Sequence, residues 1–589
     1  MNIQFTILPA EHETCDLGYA QKINATDYTF HCSPEEWITE YEGIYIFLKG
    51  YAIPRNDIFH DWNKYSQVAF IRHKHARYNN GFINYVKGNF IIAIIEKKKI
   101  KIFTDHFGLS SFFYILNDKI TAVSSSIDLL KDTGIPLVPD QTSLASKSLL
   151  HRNVPGYTAY KNIYQTTPAT FIELTESGSR VFNYWTPDEL LEARSDVYRS
   201  RTFAPFAELV KSNFSSFQAQ LKPASHTITL TGGKDSRTGL AALQSLGVNP
   251  YGFTYGSKNS RDSIYAASLA QNLSLEHHVF DPPSSAEWFE QMSEDILACA
   301  NPEISIHRTH RLNAFQKMSQ ITGPGAAYYC GNMAGEFLMG PYYDNLINTE
   351  FMTNFWENST LFSIEPVLQK YQHRTSSVHP DDILDRISRM KSFDPGVSKK
   401  MRQFYGMFEN GIPHHAQDIF LAGQCFDYVY PFFIDMDFLE ALFSSPFSFF
   451  HTDNKSKNLL KRYRLFEFNL NIQHILCPAM DEIPFAKRGS YSTKEFLRGR
   501  LYWTAVKGLR FFLQSSKYPP SFAYQSGFRD FLNNHLQELN KEKDNLLHEF
   551  FDIPKALSDL RQVKFPSPEG PLHRFSNIVM LHRQLKRFE

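Results

Sequence analysis

The sequence predicts two unlike domains. Residues 1–190 read as an α+β unit built on an antiparallel β-sandwich. Residues 191–589 read as an α/β unit with a parallel sheet and helical additions. Three observations carry this. Before residue 190 the apolar runs come as consecutive hairpins, which stack as antiparallel sheets. From residue 226 a β-branched strand enters a Gly-Gly turn and then a helix, and strand and helix patterns go on alternating, as in a doubly wound parallel sheet. Residues 500–589 are amphipathic and charged, with 494–514 the clearest helix.

The elements follow in order. FIIAIIE at 90–96, KKK at 97–99 and IKIFTD at 100–105 form strand, turn and strand, the lysines being a solvated tip. SFFYIL at 111–116 and KITAVSSS at 119–126 form a second hairpin around Asn117-Asp118. Residues 167–185 form a third around Ser177-Gly178. Residues 187–222 are helical in period, broken at Pro205. Residues 249–256 and 275–280 offer further strands and 261–273 a helix; beyond 300 the pattern reads as helical with long irregular loops.

Composition narrows the class. The chain has 589 residues, enough for two or more domains, and is 42% hydrophobic and 21% charged, which excludes a disordered chain, a collagen and a disulfide miniprotein. Sixty-one basic residues cancel 61 acidic ones, so no global field points to nucleic acid or to an anionic membrane as partner. Six cysteines at 15, 32, 298, 330, 425 and 477 form no CxxC pair and read as reduced thiols, which places the expected location in the cytoplasm. No signal-peptide pattern and no run of 18 apolar residues is present, so neither export nor a membrane span is expected.

The stretch that carries chemistry is Thr231-Gly232-Gly233-Lys234-Asp235-Ser236-Arg237, between a strand and a helix. Glycines let backbone approach an anion closely, and the N–H groups at a helix start bind it. Thr231 and Ser236 add hydroxyls. A carboxylate beside polyphosphate is repulsive unless a cation lies between them, so Asp235 implies Mg²⁺. The pattern is neither GxxxxGK[ST] nor GxGxxG.

This stretch resembles the SGGxDS loop of ATP-pyrophosphatases that activate substrates by adenylation. The wider sequence resembles the asparagine synthetase superfamily. Gly88-Asn89-Phe90, Asp105-His106-Phe107-Gly108, Ser124-Ser125-Ser126, Val154-Pro155-Gly156-Tyr157-Thr158 and Tyr184-Trp185 resemble its N-terminal glutaminase-like domain. Residues 331–340, Pro431-Phe432-Phe433-Ile434-Asp435 and Ala486-Lys487-Arg488-Gly489 resemble blocks of its synthetase domain. The resemblance implies ATP and Mg²⁺ as cofactors, a cradle of Thr231, Gly232, Gly233, Asp235, Ser236 and Arg237, and metal held by Asp235 and Glu336. Lys487 would act as the cation that stabilises developing charge.

Departures from the family define the expected activity. Glutamine-dependent members carry a nucleophilic Cys after the initiator Met, and here that residue is Asn2, so the glutaminase half-reaction has no nucleophile. β-Lactam synthetase and the lasso-peptide macrolactam cyclases share this trait. Gly335 stands where the family has its metal-binding Asp, with Glu336 next to it. Asn332 stands where relatives have the residue that helps deprotonate the attacking amine; Asn is no base, so Asp427 is the candidate base and Asn332 a residue that orients the acyl group. Paired histidines at 277–278, 307 and 310, and 414–415 lack metal-ligand spacing and read as structural. Arg261-Asp262 either contacts nucleotide or caps the following helix.

The expectation is therefore an ATP-dependent carbon–nitrogen ligase that adenylates a peptide or small-molecule carboxylate. Lasso-type macrolactam cyclisation is the first reading, with a precursor-processing protease as partner. A small-molecule amide or β-lactam-type synthetase is the second. A catalytically silent nucleotide- or peptide-binding subunit is the alternative from another class.

Overall fold

The computed structural model describes residues 4–9, 21–25, 27–33, 38–62, 65–118, 120–150, 152–192, 196–281, 283–298, 304–340, 378–394, 396–451, 463–486, 490–513, 525–563 and 569–588. Two six-stranded sheets fill the first third. One comprises β1 (Gln4–Pro9), β2 (Gln21–Ala25), β3 (Tyr28–Ser33), β8 (Phe113–Leu116), β9 (Ile120–Ser124) and β10 (Ile163–Gln165), in the order β10-β8-β9-β1-β3-β2. The other comprises β4 (Ile38–Tyr41), β5 (Ile44–Pro54), β6 (Val86–Glu96), β7 (Lys99–Thr104), β11 (Thr170–Thr175) and β12 (Gly178–Asn183), in the order β12-β11-β7-β6-β5-β4. The pairings within both are antiparallel, and the three hairpins read from the sequence are β6–β7, β8–β9 and β11–β12.

The unbroken apolar run at 90–95 is explained by burial on both faces. Successive side chains of a strand point to opposite sides. Ile91, Ala93 and Ile95 face the other sheet, among Phe5, Phe30 and Phe47. Phe90, Ile92 and Ile94 face a helix, Gln67–Tyr78, whose Phe70 and Ile71 complete a second core. That helix starts where Ser66 caps the Ala69 amide.

A third sheet is wholly parallel. It comprises β13 (Ser225–Thr229), β14 (Tyr251–Tyr255), β15 (His277–Phe280), β16 (Ala326–Cys330) and β17 (Tyr428–Pro431), in the order β15-β14-β13-β16-β17. The order reverses between β13 and β16. Such a switch point opens a crevice at the carboxyl ends of the two strands. The helix expected at 261–273 is Arg261–Asn272, and Pro205 stands at the start of the helix Ala204–Leu221 rather than within one.

The purely helical reading beyond residue 300 is corrected by β16 and β17. Both are short, and β16 is fully buried, so neither shows the alternation that marks a half-buried strand. Helices Gln525–Lys541, Ile553–Gln562 and Glu569–Phe588 form the C-terminal part. Among the described residues no helix is long and apolar enough to cross a membrane.

The sandwich meets the parallel-sheet region through a buried ionic knot. Lys87 of β6 is 2% exposed, with Nζ 3.1 Å from Asp435 and 2.7 Å from Asp437. Asn213 and Tyr430 donate to Asp435 as well, and Arg55 bonds Asp437 and Glu440. Burial alone would pull the Lys87 ammonium down; the two carboxylates reverse that and raise it.

Candidate functional site

The turn after β13 runs into the helix Asp235–Ser245 at the switch point. Alternate residues split between the protein and the crevice. Thr231, Gly233, Asp235 and Ser236 stay partly accessible, whereas Lys234 and Arg237 are buried. Thr231 Oγ1 accepts from the Gly233 amide at 3.1 Å and lies 3.3 Å from Ser236 Oγ. The Gly232 amide donates to Asp262 Oδ1 at 3.2 Å. Ser260, not Asp262, caps the Arg261–Asn272 helix, so Asp262 braces the turn.

Helix Arg464–Leu476 supports the turn from beneath. Phe466, Asn469 and Gln473 lie on one face at spacings of three and seven. Phe466 carries the Lys234 ammonium 3.8 Å above its ring. Gln473 donates to the Lys234 carbonyl at 2.8 Å. Asn469 Nδ2 donates to Asp235 Oδ1 at 2.8 Å, while the Asn469 Oδ1 beside it is buried without a partner among the described residues.

A second loop closes the other side of the crevice. Gly331, next after β16, packs so tightly on Asp235 that a Cβ there would lie 3.1 Å from the Asp235 carbonyl carbon. Asn332 follows in this loop, half-buried. Met333 then takes a left-handed φ of 72°, and the short helix Ala334–Met339 begins. A strap at 483–486 lies across the turn: the Ala486 amide donates to the Gly232 carbonyl at 2.9 Å.

Placement corrects two expected roles, those of Arg237 and Asp427, and gives Glu336 a histidine neighbour. Arg237 does not face the crevice. Its guanidinium is 1% exposed, donates to the carbonyls of Ile483 (2.8 Å) and Pro484 (2.6 Å), and stacks 4.3 Å from Phe485. Two helix positions are about 200° apart around the axis, so Asp235 and Arg237 point opposite ways. Asp427 lies at the wrong end of the sheet. It is exposed, directly precedes β17, and accepts the amide of Gly325, which directly precedes β16, at 2.6 Å. It is a turn carboxylate at the amino ends of the strands, whereas the 231–237 turn is at the carboxyl ends, so it cannot be the base. Glu336 is paired with histidine: its Oε1 is 3.7 Å from His415 Nε2. Burial pushes this carboxyl up, but the His415 imidazole more than offsets that and holds it below the usual range. Among the described residues no three His, Cys, Asp or Glu side chains gather as a metal site. Lys487 lies outside the described residues.

Other histidines behave as structural groups. His310 Nδ1 is 2.9 Å from the His307 carbonyl oxygen, and burial pulls its pKa to about 3. His277 bonds Thr254, and burial lowers it to about 4. His415 Nδ1 is buried with no hydrogen-bond partner among the described residues.

Sequence reasoning missed Asn469 and His415. The signal for Asn469 was present: polar Asn469 and Gln473 interrupt an otherwise apolar helix face. His415 had no local signal, because its partner Glu336 is distant in sequence.

No protein family matches the chain, and no curated protein matches it. Among solved structures the chain is similar to the allosteric regulatory enzyme of purine biosynthesis, at 10% identity and TM-score 0.22, covering 48% of this chain and 81% of that one. It is similar to glutamine phosphoribosylpyrophosphate amidotransferase from B. subtilis, at 11% identity and TM-score 0.22, covering 56% and 81%. It is similar to NMN synthetase from Francisella tularensis, at 14% identity and TM-score 0.20, covering 40% and 96%. None of the three reaches a TM-score at which likeness speaks to activity.

Proposed function

We propose that the chain is an ATP-dependent carbon–nitrogen ligase, forming AMP and pyrophosphate, of the asparagine synthetase type without a glutaminase. The observation that carries this is the 231–236 turn at the β13/β16 switch point, with the Gly331 loop against Asp235. Thr231, Gly232, Gly233 and Ser236 would cradle the pyrophosphate end of ATP. The donor set suits Mg²⁺, since Asp235 and the orphaned Asn469 Oδ1 are hard oxygens lying together. Bound there, Mg²⁺ would supply charge neutralisation between carboxylate and phosphate.

The reaction would run in two displacements. A substrate carboxylate oxygen attacks the α-phosphorus, the bond to the β-phosphate oxygen breaks, and pyrophosphate leaves. An amine then attacks the acyl carbon, the acyl–oxygen bond to AMP breaks, and the amine gives up a proton. His415 is the proposed acceptor: Nε2 faces Glu336, which favours the tautomer with its lone pair on the unpartnered Nδ1. Asn332 would orient the acyl group. Lys487 remains the proposed cation on sequence grounds alone.

The carboxylate is proposed to belong to a peptide, in a lasso-type macrolactam cyclisation, with small-molecule amide synthesis as the other substrate class. Hydroxylamine tests this: with MgATP and a panel of peptides and amino acids, the true carboxylate is expected to yield a hydroxamate detectable by mass. Glutamine added with MgATP is expected to release no glutamate, because Asn2 replaces the nucleophile. Steady glutamate release abolished by Cys15→Ala would contradict that. A silent nucleotide-binding role has one observation in its favour, the engagement of Glu336 by His415. MgATP binding with no hydroxamate from any class of carboxylate would support it.

A further inference from the structure

Among the described residues, Arg237 is a buried cation without a buried anion. It is 1% exposed, and its hydrogen-bond partners are two neutral carbonyls, those of Ile483 and Pro484. Its Nε is buried with no hydrogen-bond partner among the described residues. Among the described residues, the titratable groups that influence it are the phenols of Tyr265 and Tyr491, with no carboxylate among them. Burial pulls its pKa to about 9, which still leaves it charged at neutral pH. Arg308 shows the contrast: equally buried, it is paired with Asp418. An isolated charge in a low-dielectric interior is costly and attracts any opposite charge that can approach.

The place where an anion can approach is adjacent. Arg237 follows Ser236 in the first turn of the 11-residue helix Asp235–Ser245, whose amino end adds positive potential of its own. The same guanidinium grips the strap whose Ala486 amide bonds Gly232.

We propose that Arg237 is a positioning residue whose charge is compensated by a polyphosphate in the 231–236 turn, and that it couples polyphosphate binding to the seating of the 483–486 strap. The strap holds the guanidinium by hydrogen bonds, whereas the anion acts on its charge through space and without direct contact. Filling the turn fixes Arg237, and Arg237 fixes the strap over Gly232. The inference rests on reading the turn as a polyphosphate site, and it adds a role that direct ligation does not.

Inorganic pyrophosphate with Mg²⁺ is the probe, titrated calorimetrically into the full chain. Arg237→Gln removes the charge and keeps an amide donor for the strap. Arg237→Lys keeps the charge and loses the fork. The expected result is a loss of about tenfold or more in pyrophosphate affinity for Arg237→Gln, against roughly threefold or less for Arg237→Lys. In wild-type protein, saturating pyrophosphate should slow amide hydrogen exchange in the 483–486 peptide, and both variants should lose much of that slowing. Equal affinities for wild type and Arg237→Gln would overturn the inference. Should Arg237→Gln not fold, the wild-type exchange decides: no slowing at 483–486 on saturation, or no pyrophosphate binding, overturns it. The ligase reading fails separately. Arg237-dependent pyrophosphate binding without AMP formation would leave this inference standing, and AMP formation with an indifferent Arg237 would remove it alone.

Discussion

The Ala486 amide donates to the Gly232 carbonyl at 2.9 Å, so the strap lies directly on the glycine of the turn. A Cβ on Gly232 would sit 1.7 Å from Ala486 Cβ and 2.9 Å from its Cα. Residue 232 is therefore glycine because another backbone covers it. Gly232→Ala must displace the strap or the turn. Overpacking of this kind costs about 1–3 kcal/mol, which would lower MgATP affinity roughly 5- to 150-fold if the strap seats only on the native turn. Calorimetry checks this, and wild-type affinity in the variant would show the strap to be irrelevant to binding.

Asp418 holds the helix Ile412–Gly423 in place, and with it His415. It bonds both Arg308 and Arg311. Burial pushes its carboxyl up, but the two guanidiniums overcome this and hold it well below the usual range. A depressed acid contributes stability above its unfolded pKa and loses it as pH falls. The contribution should be full at neutral pH and fade below about pH 4. Asp418→Asn should cost about 3–5 kcal/mol near pH 7, because two buried cations lose their anion. Denaturant titrations at several pH values should show this penalty shrinking below pH 4. A flat penalty would mean that shape, not charge, matters there.

Lys87 joins the sandwich to the parallel-sheet region. Lys87→Met would leave Asp435 and Asp437 buried together without their cation. The expected loss is about 3–5 kcal/mol at neutral pH, easing as acid protonates the carboxylates. Differential scanning calorimetry should show the melting temperature falling. A change under about 1 kcal/mol would mean that Arg55 and the surrounding polar groups suffice to hold the junction.

Much of this architecture is legible in the sequence, for identifiable reasons. The β6–β7 hairpin and the β13–turn–helix unit announce themselves because their turn residues and apolar periods agree. β16 is not legible, since a five-residue buried strand of small and aromatic residues has no period to show. The turn at 231–237 is readable as an anion cradle, yet its linear pattern hides that Asp235 and Arg237 leave the helix on opposite sides. Asp427 misleads in a similar way. Four residues before Pro431 sounds close to the site, but those four residues are a strand, and its two ends face opposite edges of the sheet. The Glu336–His415 pair joins residues 79 positions apart and depends on tertiary packing alone.

The central claim is that the 231–236 turn directs cleavage of ATP between its α- and β-phosphates. The direct measurement uses α-labelled ATP, Mg²⁺, hydroxylamine and the peptide and amino-acid panel, with products resolved by thin-layer chromatography. Asp235→Asn keeps the shape of the side chain and removes its charge. Wild-type protein should form labelled AMP, and Asp235→Asn should form it more slowly by about two orders of magnitude, as when a central electrostatic contact is lost. Labelled ADP as the product, or AMP formed equally fast by Asp235→Asn, would contradict the account.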